Sequence, residues 1–207
     1  MTPRLFVVSA PSGTGKTTIV KRMVEENPGV SLAVSHTTRP PRESEQDKRD
    51  YYFVSAAAFD EIRGAGGFLE HADVFGNRYG TSRREVDEKL AGGRQVILEI
   101  DWQGAEQVRR ARPDAQGIFL LPPSRDELEK RLRGRNTDKP EVVERRFSEA
   151  RHDVRKWTDF HYVLVNDDIN KTCRRMSKIL RGDGAQYAVS DEKHRACVEE
   201  LIGAGDW

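Results

Sequence analysis

The chain has 207 residues, enough for one core carrying inserted segments, and this favours a single domain over two small independent ones. Its 35 basic and 34 acidic residues leave a formal net charge of +1, so no global field favours nucleic acid. Cys173 and Cys197 sit far apart with no C-x-x-C and no histidine at ligand spacing, no apolar run approaches membrane-spanning length, and no leader precedes the first strand; a reduced, cytoplasmic protein without structural zinc is expected.

Leu5-Phe6-Val7-Val8 reads as a short β-branched and aromatic strand. It runs into Ala10-Pro11-Ser12-Gly13-Thr14-Gly15-Lys16-Thr17, after which Ile19, Val20, Met23 and Val24 recur at helical spacing until Asn27-Pro28-Gly29. A loop between strand and helix leaves backbone N–H groups pointing at one spot beside the positive helix end, which makes a cradle for phosphate. Lys16 adds a point charge suited to the β- and γ-phosphates of a nucleoside triphosphate, and the Thr17 hydroxyl suits Mg²⁺. Ala10 stands where the general G-x-x-x-x-G-K-[ST] pattern has glycine, and a methyl group is tolerated there if φ is negative.

Residues 31–35 read as a second strand. A polar segment follows as far as Tyr51, with Arg39-Pro40-Pro41-Arg42 held extended by its prolines. Residues 56–63 form a short helix with Phe59 and Ile62 inward, ended by Gly64, Gly66 and Gly67. Residues 68–72 read as a short strand and 75–80 as a turn-rich connection. Thr81 or Ser82 then caps a helix to about Leu90, with Glu85 placed for a capping box. Residues 95–100 form a buried strand whose alternation puts Glu99 and Asp101 on one face, and residues 103–112 are helical.

Gly117-Ile118-Phe119-Leu120-Leu121 is the next apolar strand, ended by two prolines. Ser124 and Glu127 form a capping box opening a basic helix, and after a break at 134–139 Pro140 starts another. Tyr162-Val163-Leu164-Val165 is the last strand, followed by Asn166-Asp167-Asp168 and a helix over 169–181. Ser190 is placed to cap a final helix bearing Val198, Leu201 and Ile202, read as a docked helix or, less readily, a dimer contact. The alternation implies an α/β fold with a five-stranded parallel sheet and helices on both faces. Ligands belong at its carboxyl edge, where Ala10, Asp101, Pro122 and Asn166 end their strands.

Three groups of residues carry chemistry. The first is the loop around Lys16. The second supplies Arg39, Arg42, Tyr51 and Tyr79, a donor set suited to a phosphomonoester because guanidinium forks match its oxygens. With them stands Glu70, whose carboxylate could accept two adjacent N–H donors such as those on the N1 and N2 edge of guanine. The third is Arg131, Arg135 and Arg146 in the basic helical hairpin. These arginines form a solvated face, a nucleic-acid surface interrupted by acidic residues, or a lid supplying cations to a phosphoryl-transfer transition state.

Taken in order, the loop at 10–17, Ser35-His36-Thr37-Thr38-Arg39-Pro40-Pro41-Arg42, Phe68-Leu69-Glu70-His71-Ala72, Tyr79-Gly80-Thr81, Ile100-Asp101-Trp102-Gln103-Gly104 and Val165-Asn166-Asp167-Asp168 resemble the successive signatures of guanylate kinases. The resemblance runs from about residue 4 to 182 and matches the family form of the loop, Ala10 included. It implies a P-loop core (1–35, 94–123 and 156–182), an inserted GMP-binding subdomain (36–93) and a lid (124–155), with 183–207 as an extension beyond it.

The implied reaction is ATP + GMP ⇌ ADP + GDP, a step of purine nucleotide metabolism, with dGMP as a further acceptor. Ala10, Pro11, Ser12, Gly13, Thr14, Gly15, Lys16, Thr17 and Thr18 would line the ATP site, with Asn166 near the adenine. Arg39, Arg42, Tyr51 and Tyr79 would hold the GMP phosphate; Ser35, Glu70 and Thr81 would read guanine, with Gly80 and Asp101 alongside. Lys16, Arg131, Arg135 and Arg146 would act on the transferred group, and Thr17 with Glu99, where relatives often have aspartate, would serve Mg²⁺ through water. Ser44 and Lys48 replace two glycines common in the family, and Asn136 a third. A non-catalytic phosphopeptide-binding module and a kinase for a ribosyl bisphosphate are the competing readings. No nucleic-acid or membrane partner is expected, and a homo-oligomer is compatible with the tail.

Overall fold

Residues 5–9 are apolar but for Ser9, and in the computed structural model, which describes residues 2–74, 76–134, 140–204 and 207, they form β1 (Leu5–Ser9), buried at every position. The loop leads into α1 (Lys16–Glu26), whose Ile19, Val20 and Met23 turn inward as their spacing predicts. The chain continues through β2 (Val30–Leu32), β3 (His36–Thr37), β4 (Tyr52–Phe53), α2 (Ala56–Gly64), β5 (Phe68–Val74), β6 (Asn77–Ser82), α3 (Arg83–Ala91), β7 (Gln95–Glu99) and α4 (Trp102–Ala111). Then come β8 (Gln116–Leu121), α5 (Arg125–Arg133), α6 (Pro140–Asp153), a 3-10 segment (Val154–Asp159), β9 (Tyr162–Val165), α7 (Ile169–Arg181) and α8 (Glu192–Ala204).

Five strands make a parallel sheet in the order β2-β7-β1-β8-β9, with Val30 opposite Gln95 and Ile118 opposite Tyr162. Continuous apolar runs such as those of β1, β7 and β8 are the expected composition of parallel strands buried on both faces. The first and third helices start where their sequences indicate, and α7 spans Ile169–Arg181 with Cys173, Met176, Ile179 and Leu180 buried.

The insertion holds a second sheet, β4-β3-β6-β5, that the sequence reading does not anticipate. Residues 75–80 are read there as a turn because they contain asparagine and glycines, yet Asn77–Ser82 is a strand paired antiparallel to β5. Gly76, at φ 76°, makes the turn, whereas Gly80 lies in the strand because the Phe68 ring occupies the space a side chain would need, 3.0 Å from its Cβ position. Likewise 31–35 is not one strand: β2 ends at Leu32 and β3 begins at His36 in the other sheet.

Contacts divide the chain into two compact units, one of Val8–Asn27 and Gln116–Trp207, the other of Thr2–Val7 and Pro28–Ala115. In the first, α1 packs on α7 and the tail covers the outer edge of β9, bridging Tyr162 to Ala188 and setting the His194 ring on the Val163 carbonyl at 2.9 Å. This protects a sheet edge, and the tail helix is docked as its buried Val198 requires. Asp191, not Ser190, caps it by accepting the His194 N–H.

Ser82 and Ser124 accept the N–H of Glu85 and Glu127, but neither glutamate returns the bond of a capping box. Glu85 takes the Val34 N–H and the Lys89 ammonium instead, and Glu127 takes the Arg131 guanidinium. Among the described residues no helix is long and apolar enough to cross a membrane.

Candidate functional site

The turn between β1 and α1 works because two of its residues adopt backbone angles that glycine alone reaches without strain, Gly13 at φ 88° and Gly15 at φ 97°. Ala10 is outside that region, as its methyl group demands. Each glycine also meets a neighbour that a side chain would strike. At Gly13 the neighbours are Leu128 and Leu132 of α5, 2.9 Å from an added Cβ, and at Gly15 it is the Asn166 amide at the same distance.

Asn166, expected beside an adenine, is buried and donates its side-chain amide to the Thr14 carbonyl at 2.7 Å. Its own backbone N–H is held by Leu121 at 2.8 Å, so the end of β8 fixes it. Arg131 joins the same cluster, donating to Thr14 O at 3.3 Å, to Asn166 O at 3.4 Å and to Glu127 at 2.9 Å. That pairing holds the Glu127 carboxyl below the usual carboxylate range. Lys16 is half-buried and Thr17 and Thr18 are exposed at the start of α1, where the helix dipole is positive. Arg146 lies half-buried on α6, and Arg135 and Asn136 are outside the described residues.

The second unit assembles the other candidates. A register shift between Phe68 and Glu70 in β5 brings Glu70 opposite Thr81 of β6. Glu70, 5% exposed, accepts the Thr81 hydroxyl at 2.5 Å, and Ser35 lies 3.2 Å from Thr81 on its other side. A threonine has one hydroxyl proton, so with Thr81 donating to Glu70, Ser35 donates to Thr81. Serine, threonine and carboxylate thus form one directed chain, with Gly80 next to it in β6.

Arg39 donates Nη2 to both oxygens of Glu45, at 2.7 and 2.8 Å, and Nη1 to the Pro40 carbonyl at 2.7 Å. Its guanidinium lies 5.5 Å from the centre of the Tyr51 ring. The bonds to Glu45 are the main cause of a raised Arg39 pKa and of a Glu45 carboxyl held below its ordinary range. Glu45 also accepts the Arg42 N–H at 2.8 Å, while the Arg42 side chain remains 75% exposed. Tyr51 and Tyr79 meet edge to face at 5.9 Å. Burial pushes the Tyr51 phenol up, with Tyr79 and the Glu99 carboxylate adding to it.

Glu45 is the residue that sequence reasoning missed. Its signal was a carboxylate within an arginine-rich loop. Lys48 takes φ 65°, a left-handed conformation that explains why glycine suits this position. Asp101 differs from its expected placing: β7 ends at Glu99, so the strand alternation does not reach it, and its carboxylate caps α4 by accepting the Gly104 N–H at 2.8 Å.

Comparison with known proteins identifies the family. The sequence profile described as guanylate kinase matches residues 2–183. The chain is 52% identical to a guanylate kinase of Nitrosococcus oceani over 98% of this chain and all of that one. It is 51% identical to one of Alkalilimnicola ehrlichii over 96% of this chain and 98% of the relative. The crystal structure of a guanylate kinase from Anaplasma phagocytophilum, 30% identical, superposes with a TM-score of 0.71 and covers 96% of this chain and 94% of its own.

Proposed function

The chain belongs to the guanylate kinase family, and on that premise we propose how its residues carry the reaction. It is an ATP:GMP phosphotransferase, moving the γ-phosphoryl group of ATP to GMP to give ADP and GDP. The phosphopeptide-binding and sugar-phosphate readings are not favoured, because curated guanylate kinases match over almost their whole length.

We assign the donor to the loop at 10–18, whose N–H groups and Lys16 hold the triphosphate, with Asn166 keeping the loop in shape. Arg131, Arg135 and Arg146 supply positive charge to the transferred group as it passes between oxygens. Thr17, and Glu99 through water, would hold Mg²⁺, which when bound offsets charge on the β- and γ-phosphates. The donor types fit that ion: a hydroxyl and a carboxylate both offer oxygen. Such a set suits a cation carried mainly by phosphates and water.

We assign the acceptor phosphate to Arg39, Arg42, Tyr51 and Tyr79, and the base to Ser35, Glu70 and Thr81. Asp101 acts through the cap of α4. The acceptor oxygen of GMP is already anionic near neutral pH, so no strong general base is needed. By task, the chain divides into the core, the GMP-binding segment at 36–93 and the lid at 124–155. Free Cys173 and Cys197 support a cytoplasmic location.

The buried Glu70 carboxylate at the end of a hydroxyl chain is the observation that most supports the assigned acceptor. A coupled ADP-release assay with GMP, dGMP, IMP, AMP, UMP and ribose phosphates tests it. Turnover with GMP and dGMP far above the rest is expected, and equal turnover with AMP would refute it.

A further inference from the structure

Glu70 lies on β5, the edge strand of the four-stranded sheet, and an edge strand has no neighbour to fix its outer side. Here α4 takes that place. The Gln107 carboxamide accepts the His71 N–H at 3.1 Å and donates to the His71 carbonyl at 3.0 Å, as a paired strand would. Gly104 is three residues before Gln107 and shares its helix face. It is buried, and a Cβ added to it would stand 3.0 Å from Glu70 Oε2 and 3.3 Å from Ile100 Cδ1. Its φ is not positive, so its lack of a side chain answers to space and not to backbone conformation. The first turn of α4, capped by Asp101, therefore lies directly against the Glu70 carboxylate.

We infer that α4 is a positioning element for base selection: Gly104 and Gln107 aim Glu70, and the selectivity for guanine depends on them. The inference rests on Glu70 being the group that accepts from guanine. Gln107 fixes the strand at the residue beside Glu70, and Gly104 lets the carboxylate settle on the helix while Thr81 holds its other oxygen. A methyl group at 104 displaces Oε2 by a few tenths of an ångström.

The test compares Gly104→Ala, Gln107→Leu and Gln107→Glu with Glu70→Gln in the full chain, measuring KM for GMP, IMP and ATP together with thermal melts. IMP lacks the 2-amino group, so the preference for GMP over IMP reports how the carboxylate is aimed and is insensitive to a general loss of folded protein. Gly104→Ala is expected to raise KM for GMP about tenfold, because small misplacements of recognition groups are costly. KM for ATP should stay within about twofold, well below the GMP effect. Its melting temperature should hold or rise, since alanine favours a helix over glycine.

Gln107→Leu should shift the GMP-to-IMP preference the same way, and Gln107→Glu, which keeps the acceptor for the His71 N–H, should recover part of it. An unchanged preference in the α4 variants, with Glu70→Gln losing it, overturns the inference and leaves Glu70 as the reader. A preference retained by Glu70→Gln itself removes the reading underneath. A parallel rise of KM for ATP and GMP would show a merely structural role and overturn the inference too.

Discussion

Replacing Asn166 by alanine separates two roles for one side chain. Family resemblance places Asn166 beside the adenine, whereas its amide donates to the Thr14 carbonyl at 2.7 Å from a position only 6% exposed. Losing a buried hydrogen bond costs about 1–3 kcal/mol, and the low end applies because Arg131 also reaches Thr14 O, though at 3.3 Å. The void left by the amide adds about 1 kcal/mol. The total of about 2–3 kcal/mol corresponds to a fall of about 5–10 °C in melting temperature for a chain of this size. Calorimetry of the nucleotide-free protein measures it, and KM for ATP should rise as the loop loses its support. Asn166→Asp should lose at least as much, since an oxygen would then face the Thr14 carbonyl. An unchanged nucleotide-free melt with a raised KM for ATP would refute the argument, because the side chain would then act on the nucleotide alone.

Lys16→Ala should leave the far-UV circular dichroism intact and cut kcat by about 10²–10³, the range for removing one charge that stabilises a transition state; wild-type turnover would dismiss Lys16 from that role. Arg39→Lys keeps the charge but cannot reproduce two bonds to Glu45 and one to Pro40, so KM for GMP should rise about tenfold or more with KM for ATP unaffected. His36 stacks on Tyr52 at 4.6 Å and meets the Phe68 edge at 5.6 Å, and burial lowers its pKa below 6.5 against the opposing pull of Glu85 and Asp47. The unfolded chain then takes up the proton first as pH falls, so this contribution is whole above pH 6.5 and is lost as pH drops through the depressed folded value. Melts at pH 7.5 and about 5.5 should show a larger loss for wild type than for His36→Phe; parallel losses would count against it.

The nucleotide loop was legible from sequence because its signals are local. Gly13 and Gly15 report left-handed backbone, the apolar run before them reports a buried strand, and the spacing after them reports a helix face. Four strands of the main sheet were legible for the same reason, and β2 in part, since it ends at Leu32. The four-stranded sheet was not, because β3 and β4 have two residues each, too short for any period, and β6 is written in turn-forming residues. Ser82 and Ser124 were found correctly as caps while Ser190 gave way to Asp191, and the partners of Glu85 and Glu127 depended on which groups lay near in the fold.

What the amino-acid order determined by itself is therefore the set of reactive groups and the loop that grips phosphate, since φ/ψ preference and periodicity act over a few residues. Only tertiary structure decided what those groups are bonded to. A shift of register in β5 places Glu70 on Thr81, a loop folds Glu45 onto Arg39, and Asn166 meets Thr14 across 152 positions of sequence. Such pairings arise from strand register and packing between elements, to which no local pattern is sensitive.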